Sequence, residues 1–262
     1  MILFTGHGDI ASHFSKKYLC EVQSLRNKSI AELENLLPGY DVVIHNAANL
    51  KPQNVAEAVN DNFILTKNII DTLGRVNAGA KFIYLSSMSM LKNENEYLDP
   101  LQMTPYAFSK YLGELYTLAC SIKNTAAVRF STIFYENPAK DGLSNLLNTA
   151  LQQGNITTIN NGTAKRDFIP LEILTRYLYK LCTLGNGTQR IYNVCSGTAT
   201  SFADVVNLLK LRLPNLVVEN NQLENATDVL CDFSTTGLQS IGVEAFDLSD
   251  YINTYLNKLS TP

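Results

Sequence analysis

Residues 2–19, ILFTGHGDIASHFSKKYL, run from a short apolar stretch through a glycine-punctuated turn into a segment of helical periodicity. Gly6 and Gly8 let backbone N–H groups approach an anion, and Ala11 is small enough for the new helix to pack on the strand. Asp9 and Ile10 open that helix, so Gly6, Gly8, Asp9 and Ile10 form the expected cradle for a dinucleotide diphosphate. Taken alone, a GxGxxA pattern also describes a tight turn that binds nothing. Its place after the first strand of an alternating chain favours the cradle.

That alternation continues through the first half. The runs ILF, EVQSL, DVVIH, KFIYLSS and AAVRF are rich in β-branched and aromatic residues and are separated by segments of helical period. Such a rhythm predicts a doubly wound α/β fold of Rossmann type, a parallel sheet with helices on both faces. Ligands then bind at the carboxyl edge of the strands. The texture changes near residue 135, where ENPAKDG precedes a helix near 142–153. We expect residues 1–135 to form the dinucleotide-binding domain and 136–262 a smaller substrate lobe, with some elements returning to the main sheet. Further helices are read in ILTRYLYKLCTL, SFADVVNLLKLRL and SDYINTYLNKL, and strands in RIYNVCS and LVVE.

The 262 residues are 45% hydrophobic and 17% charged, enough for one large core and an accessory lobe. A net charge of -3, with 21 Lys plus Arg and no long basic run, gives no electrostatic reason to expect nucleic acid. No stretch has the length and apolarity of a membrane span, and MILFTGHGDI reads as a buried strand rather than a signal peptide. The five cysteines (Cys20, Cys120, Cys182, Cys195, Cys231) are dispersed without CxxC, which predicts reduced thiols in the cytoplasm. Three histidines without ligand spacing predict no metal.

The second strand is followed by Leu25, Arg26, Asn27 and Lys28, where a carboxylate reader of a ribose 2′-hydroxyl would stand. Arg26 and Lys28 suit a 2′-phosphate instead, so NADP is favoured and NAD is the alternative. After the third strand, Asn46, Ala47 and Ala48 leave room for ribose and phosphates, while His45 reads as a packing or hydrogen-bonding residue. KFIYLSSMSM then brings two serines to a strand end, and TPYAFSKYLGE stacks Tyr106 and Lys110 on one helical face. A phenol is a poor acid or base at neutral pH until a cation favours its phenolate. Lys110 supplies that cation and a hydrogen bond to the nicotinamide ribose, and Ser87 holds the substrate oxygen whose charge changes.

In this order, TGHGDIASHF, DVVIHNAA, DNFILTKN, FIYLSSMSM, YAFSK, VRFSTIFYENP, GTAKRDFIPLEI and YNVCSG resemble the extended short-chain dehydrogenase/reductase family, in its nucleotide-sugar epimerase, dehydratase and 4-reductase branch. The resemblance implies a catalytic set of Ser87, Tyr106 and Lys110, with Ser86 the lesser choice of serine. It places Asn62, Tyr106 and Lys110 with the cofactor and Ser87, Met88, Thr132, Arg166 and Asp167 with a nucleotide-sugar substrate. Arg166 would pair with a diphosphate and Asp167 would fix that arginine or a helix entry, unless the segment is only a turn and strand. Residues 137, 140 and 145 lie where such enzymes often meet substrate. A homodimer formed through helices near 62–78 and 106–122 is also implied.

The chain departs from the family pattern in four places. The glycine motif is one residue short and ends in Ala11, Thr132 stands where Asn is frequent, and Phe134 and Tyr135 replace the first two residues of YGP. Met88 and Ser89 follow Ser87 where dehydratases carry Asp and Glu, so dehydration is disfavoured. The expected reaction is reduction of a 4-keto-6-deoxy sugar nucleotide with Tyr106 as proton donor. The alternatives are a 4-epimerase acting by transient oxidation and a non-catalytic NADP-binding protein on the same fold.

Overall fold

A computed structural model describes residues 1–93, 95–184, 189–223 and 241–260. Six of the strands form one parallel sheet: β1 Ile2–Thr5, β2 Glu21–Gln23, β3 Val42–His45, β4 Lys81–Leu85, β5 Thr125–Phe130 and β6 Ile191–Val194. Their spatial order is β6-β5-β4-β3-β1-β2. β3 and β4 are buried along their whole length because helices cover both faces, which is why they read as continuous apolar runs.

Successive strand residues serve opposite layers. Phe4, Ile44 and Ile83 pack with Ile10 and Phe14 of helix α1 (Asp9–Lys17) and with a later helix, Leu171–Thr183. Leu3, Val43 and Phe82 pack on the other side with α2 (Ile30–Leu36) and α3 (Leu65–Val76). α3 is entered through a short helix, Val55–Ala58, and a π-helical stretch, Val59–Ile64. α4 (Pro105–Ala119) begins with Thr104 accepting a hydrogen bond from the Ala107 N–H at 3.2 Å and with Pro105 at its first position.

A second core gathers Phe134, Leu147, Ile156, Phe168, Leu209 and Ile252. It is built from α5 (Gly142–Gln153), α7 (Phe202–Arg212), α8 (Leu248–Ser260) and a parallel strand pair, Asn155–Ile159 with Val217–Asn221. α6 (Leu171–Thr183) and β6 return to the first unit. α6 lies on α1, where Tyr18 and Tyr179 stack with centroids 4.0 Å apart and Lys17 pairs with Glu172 at 3.0 Å.

Chain order and spatial order part company between β1 and β3: from β1 the chain moves outward to β2 and then back across β1 to β3. A crevice opens at the carboxyl ends of strands at such a switch point, and it is where this fold takes ligands. Among the described residues no helix is long and apolar enough to cross a membrane, and no group of three or more His, Cys, Asp or Glu could hold a metal ion. Cys20, Cys120 and Cys182 are free thiols, Cys195 is buried, and Cys231 lies outside the described residues.

Candidate active site

A cavity of about 780 Å³ occupies the switch point. Gly6, His7, Gly8, Asp9 and Ile10 form one wall, and Asn46, Ala47 and Ala48 a second. Ser24 and Arg26 lie at the end nearest β2, and Tyr106, Lys110, Thr132, Tyr135 and Lys140 are among the residues that line the rest.

The glycine turn is shaped by contact with the third strand's end. Gly6 has φ +85°, and a Cβ there would lie 3.2 Å from Ala47 Cα, so any other residue would be strained and crowded. The turn delivers the chain into the N-terminus of α1, whose free N–H groups and dipole suit an anion. With a small-residue wall opposite, the cradle fits the diphosphate of a nicotinamide dinucleotide.

Arg26 is less free than the sequence suggests. Its guanidinium lies 3.7 Å from the Asp61 carboxylate, which also accepts a hydrogen bond from Asn49 at 2.9 Å. Asn62 is buried and holds the same loop: its Oδ1 accepts from the Asn49 N–H at 2.6 Å and its amide donates to Ser109 at 2.9 Å. It therefore stands behind the wall and not in it. His45 is fully buried between Thr5 (2.7 Å) and Thr66 (2.9 Å), and burial, with nearby Lys110 and Arg26, lowers its pKa to about 3. It is a neutral structural link.

At the other end, α4 carries the phenol and amine. Gly113 has no room for a side chain above Tyr84, so the helix sits close on β4. That approach lets the buried Lys110 Nζ donate to the Leu85 carbonyl at 2.7 Å and lie 5.0 Å from the Tyr84 ring centroid and 5.8 Å from that of Tyr106. Burial lowers the Lys110 pKa to about 7. Burial likewise pushes the Tyr106 phenol up to about 12, with the nearby Ser87 hydroxyl pulling it the other way. Ser87 is held as the cap of a short 3-10 turn, accepting from the Ser89 N–H at 3.1 Å with the two hydroxyls 2.9 Å apart. Ser86 is fully buried and turned toward Met90, so the structure brings Ser87 to Tyr106 and leaves Ser86 aside.

A buried ion pair fixes the next turn of α4. Glu114 receives Arg129 through three hydrogen bonds, and Tyr97 joins both, with its hydroxyl 2.8 Å from Glu114 Oε1 and from Arg129 Nη2. Removing one partner of such a pair costs about 3–5 kcal/mol. Its consequence here is a rigid platform for Lys110, one turn earlier.

The residues expected to meet substrate divide. Thr132 lines the cavity, whereas Met88 is buried with Met90, Leu91 and Met103, outside the lining. Asp167 is fully buried, and its oxygens accept from the Ser196 N–H (2.8 Å), the Ser196 hydroxyl (2.9 Å) and the Gly197 N–H (2.8 Å). Arg166 donates to the adjacent Lys165 carbonyl at 2.7 Å. Neither residue lines the cavity, and Asp167 does not hold Arg166.

Among the lining residues to which the sequence reading assigns no site role are His7, Ser24, Ser131 and Asp141, and Tyr135 reads there only as a departure from the family pattern. Tyr135 occupies the glycine position of YGP, and burial, with Asp9 and Asp141, raises its pKa to about 12. A second cavity of about 500 Å³ runs along α5 and shares Lys140, Asp141 and Gly142 with the first.

Comparison with known proteins matches residues 6–195 to the NAD dependent epimerase/dehydratase family. Solved structures share the fold at low identity. TunA, a NAD dependent NDP-hexosamine 5,6-dehydratase involved in tunicamycin biosynthesis, is 21% identical with TM-score 0.80, covering 100% of this chain and 98% of that one. UDP-glucose 4-epimerase from Thermotoga maritima is 19% identical with TM-score 0.76, covering 98% and 97%. RMD from Pseudomonas aeruginosa, solved with NADPH, is 16% identical with TM-score 0.77, covering 98% of each. No curated protein sequence gives a significant match.

Proposed function

We propose that this chain, which belongs to the NAD dependent epimerase/dehydratase family, is an NAD(P)-dependent nucleotide-sugar oxidoreductase that reduces a 4-keto-6-deoxy sugar nucleotide. The observation that carries the reading is that Tyr106 and Lys110 line one end of a cavity whose other wall is the glycine turn, with Ser87 beside the Tyr106 phenol. A bound nicotinamide dinucleotide supplies hydride exchange at a sugar carbon.

The chain's own residues do the rest. Backbone N–H groups of the glycine turn and the start of α1 hold the diphosphate. Ser87 donates to the sugar oxygen, and Tyr106 hands its phenolic proton to the same oxygen as charge develops there. Lys110, with its Nζ 5.8 Å from the Tyr106 ring centroid, lies close enough to stabilise the phenolate left behind. Burial keeps Tyr106 protonated at neutral pH, and a protonated phenol is the starting state that reduction needs. The cavity along α5 is the expected seat of the substrate's nucleotide, through residues such as Asn145. No carboxylate follows Ser87 in the Met88–Met90 turn, which argues against dehydration.

A second reading, 4-epimerisation, is favoured by Asp61. Its carboxylate 3.7 Å from Arg26 offsets the charge that would select a 2′-phosphate, and so supports NAD, unchanged over a full cycle. The test is purified protein with NADPH or NADH and a panel of 4-keto-6-deoxy nucleotide sugars, followed by loss of reduced-nicotinamide absorbance. Stoichiometric oxidation supports the reductase. Inversion of a nucleotide sugar without net oxidation would replace it by the epimerase, and dinucleotide binding with neither outcome would point to the non-catalytic reading.

A further inference from the structure

Among the described residues lining the main cavity, the cations are Arg26, Lys110 and Lys140. Arg26 faces Asp61 at the β2 end, and Lys110 is buried against the Leu85 carbonyl at the Tyr106 end. Lys140 alone reaches the start of α1, where its Nζ lies 3.2 Å from Asp9 Oδ2.

Asp9 is poorly suited to a diphosphate. Its carboxylate stands in the first turn of α1, where it takes up the same dipole that an incoming anion would use and repels that anion at short range. Lys140 offsets that repulsion, and it does so from the second half of the chain.

The base of Lys140 is fixed while its head is free. The loop over residues 135–141 is closed by Tyr135 N–H donating to Asp141 at 2.9 Å, Asn137 N–H to Ser144 at 3.0 Å and Lys140 N–H to the Asn137 carbonyl at 2.9 Å. Asp141 is engaged by this loop and by the Ser144 N–H and hydroxyl, both at 2.7 Å, while the Lys140 ammonium pairs with Asp9. The side chains of Lys140 and Asp9 are each 47% exposed, which leaves the ammonium able to change partner without moving the backbone.

We propose that Lys140 is a diphosphate-binding residue, held by Asp9 across the cavity until a dinucleotide enters and then shared with its phosphates. The pair thereby makes cofactor binding depend on the loop that begins the substrate lobe. This inference rests on the dinucleotide reading given above.

The test is titration calorimetry of the full chain with NADPH and NADH, and separately with a nucleoside diphosphate, for wild type, K140Q, K140R, D9N and the D9N/K140Q double variant. K140Q is expected to weaken dinucleotide binding about fivefold and D9N to tighten it by a similar factor, the scale of one half-exposed charge contact. The double variant should return close to wild type, K140R should retain binding, and added salt should shrink every difference. Unchanged dinucleotide affinity in both K140Q and D9N would overturn the inference, as would a K140Q defect confined to the nucleoside diphosphate. Failure of wild type to bind any dinucleotide would instead remove the underlying reading, and this inference with it.

Discussion

Lys110→Met is expected to stabilise the fold while disabling the site. Lys110 is 3% exposed, donates to the Leu85 carbonyl at 2.7 Å, and has its pKa lowered by burial from 10.5 to about 7. Below about pH 7 the native state must hold a buried ammonium that the unfolded chain hydrates freely. Between about pH 7 and 10.5 the unfolded chain binds a proton that the native chain does not, so this group's contribution to stability rises with pH across that window. At about 1.4 kcal/mol per tenfold change in acidity, the full cost at low pH is about 5 kcal/mol. Methionine fills a similar volume without that cost but leaves the Leu85 carbonyl without its donor, a loss of about 1–3 kcal/mol. K110M should therefore be more stable than wild type by about 2–4 kcal/mol near pH 6, and the advantage should fall by about 4 kcal/mol near pH 10. The chain has no tryptophan, so urea unfolding of both proteins is followed by far-UV circular dichroism at the two pH values. A difference that stays constant with pH, or a K110M protein already weaker than wild type near pH 6, would refute the reasoning.

Other outcomes follow from the same geometry. Tyr106→Phe should lower kcat by about 10²–10⁴-fold while dinucleotide affinity, read by calorimetry, changes little. Ser87→Ala should cost about 10²-fold in kcat/KM, and Ser86→Ala far less, because only Ser87 meets the phenol. Asp61→Asn frees Arg26 and should raise the preference for NADPH over NADH, whereas Arg26→Ala should lower it; competition titrations of the two cofactors decide the sign. Gly6→Ala forces a side chain into a left-handed turn 3.2 Å from Ala47, so it should lose about 1–3 kcal/mol of stability in urea unfolding and weaken dinucleotide binding.

Much of the sheet was legible because its strands are buried on both faces. Val42–His45 and Lys81–Leu85 read as unbroken apolar runs apart from His45 and Lys81, and both exceptions have partners that only the fold supplies. His45 finds Thr5 and Thr66, and Lys81 reaches the Leu181 and Leu184 carbonyls at the end of α6. The glycine turn and the Tyr106 to Lys110 spacing are local, so sequence displays them directly. Asp167 is the opposite case. Its partners lie 29 and 30 residues further along, at Ser196 and Gly197, and no local pattern near RDF announces that contact. Asn62 sits in a π-helical stretch whose extra residue per turn is not visible in apolar spacing. Tyr135 was visible as a departure from YGP, but that it lines the cavity follows from the packing of the 132–142 segment against α1.

The central claim is that this chain moves a hydride between a nicotinamide cofactor and a nucleotide sugar with Tyr106 as the proton donor. The most direct measurement is mass spectrometry of the sugar product after single turnover with reduced cofactor carrying deuterium at the transferring position, in wild type and in Y106F. One deuterium per product molecule is expected in wild type, and almost no product in Y106F. Unlabelled product, or labelled product formed equally fast by Y106F, would contradict the claim.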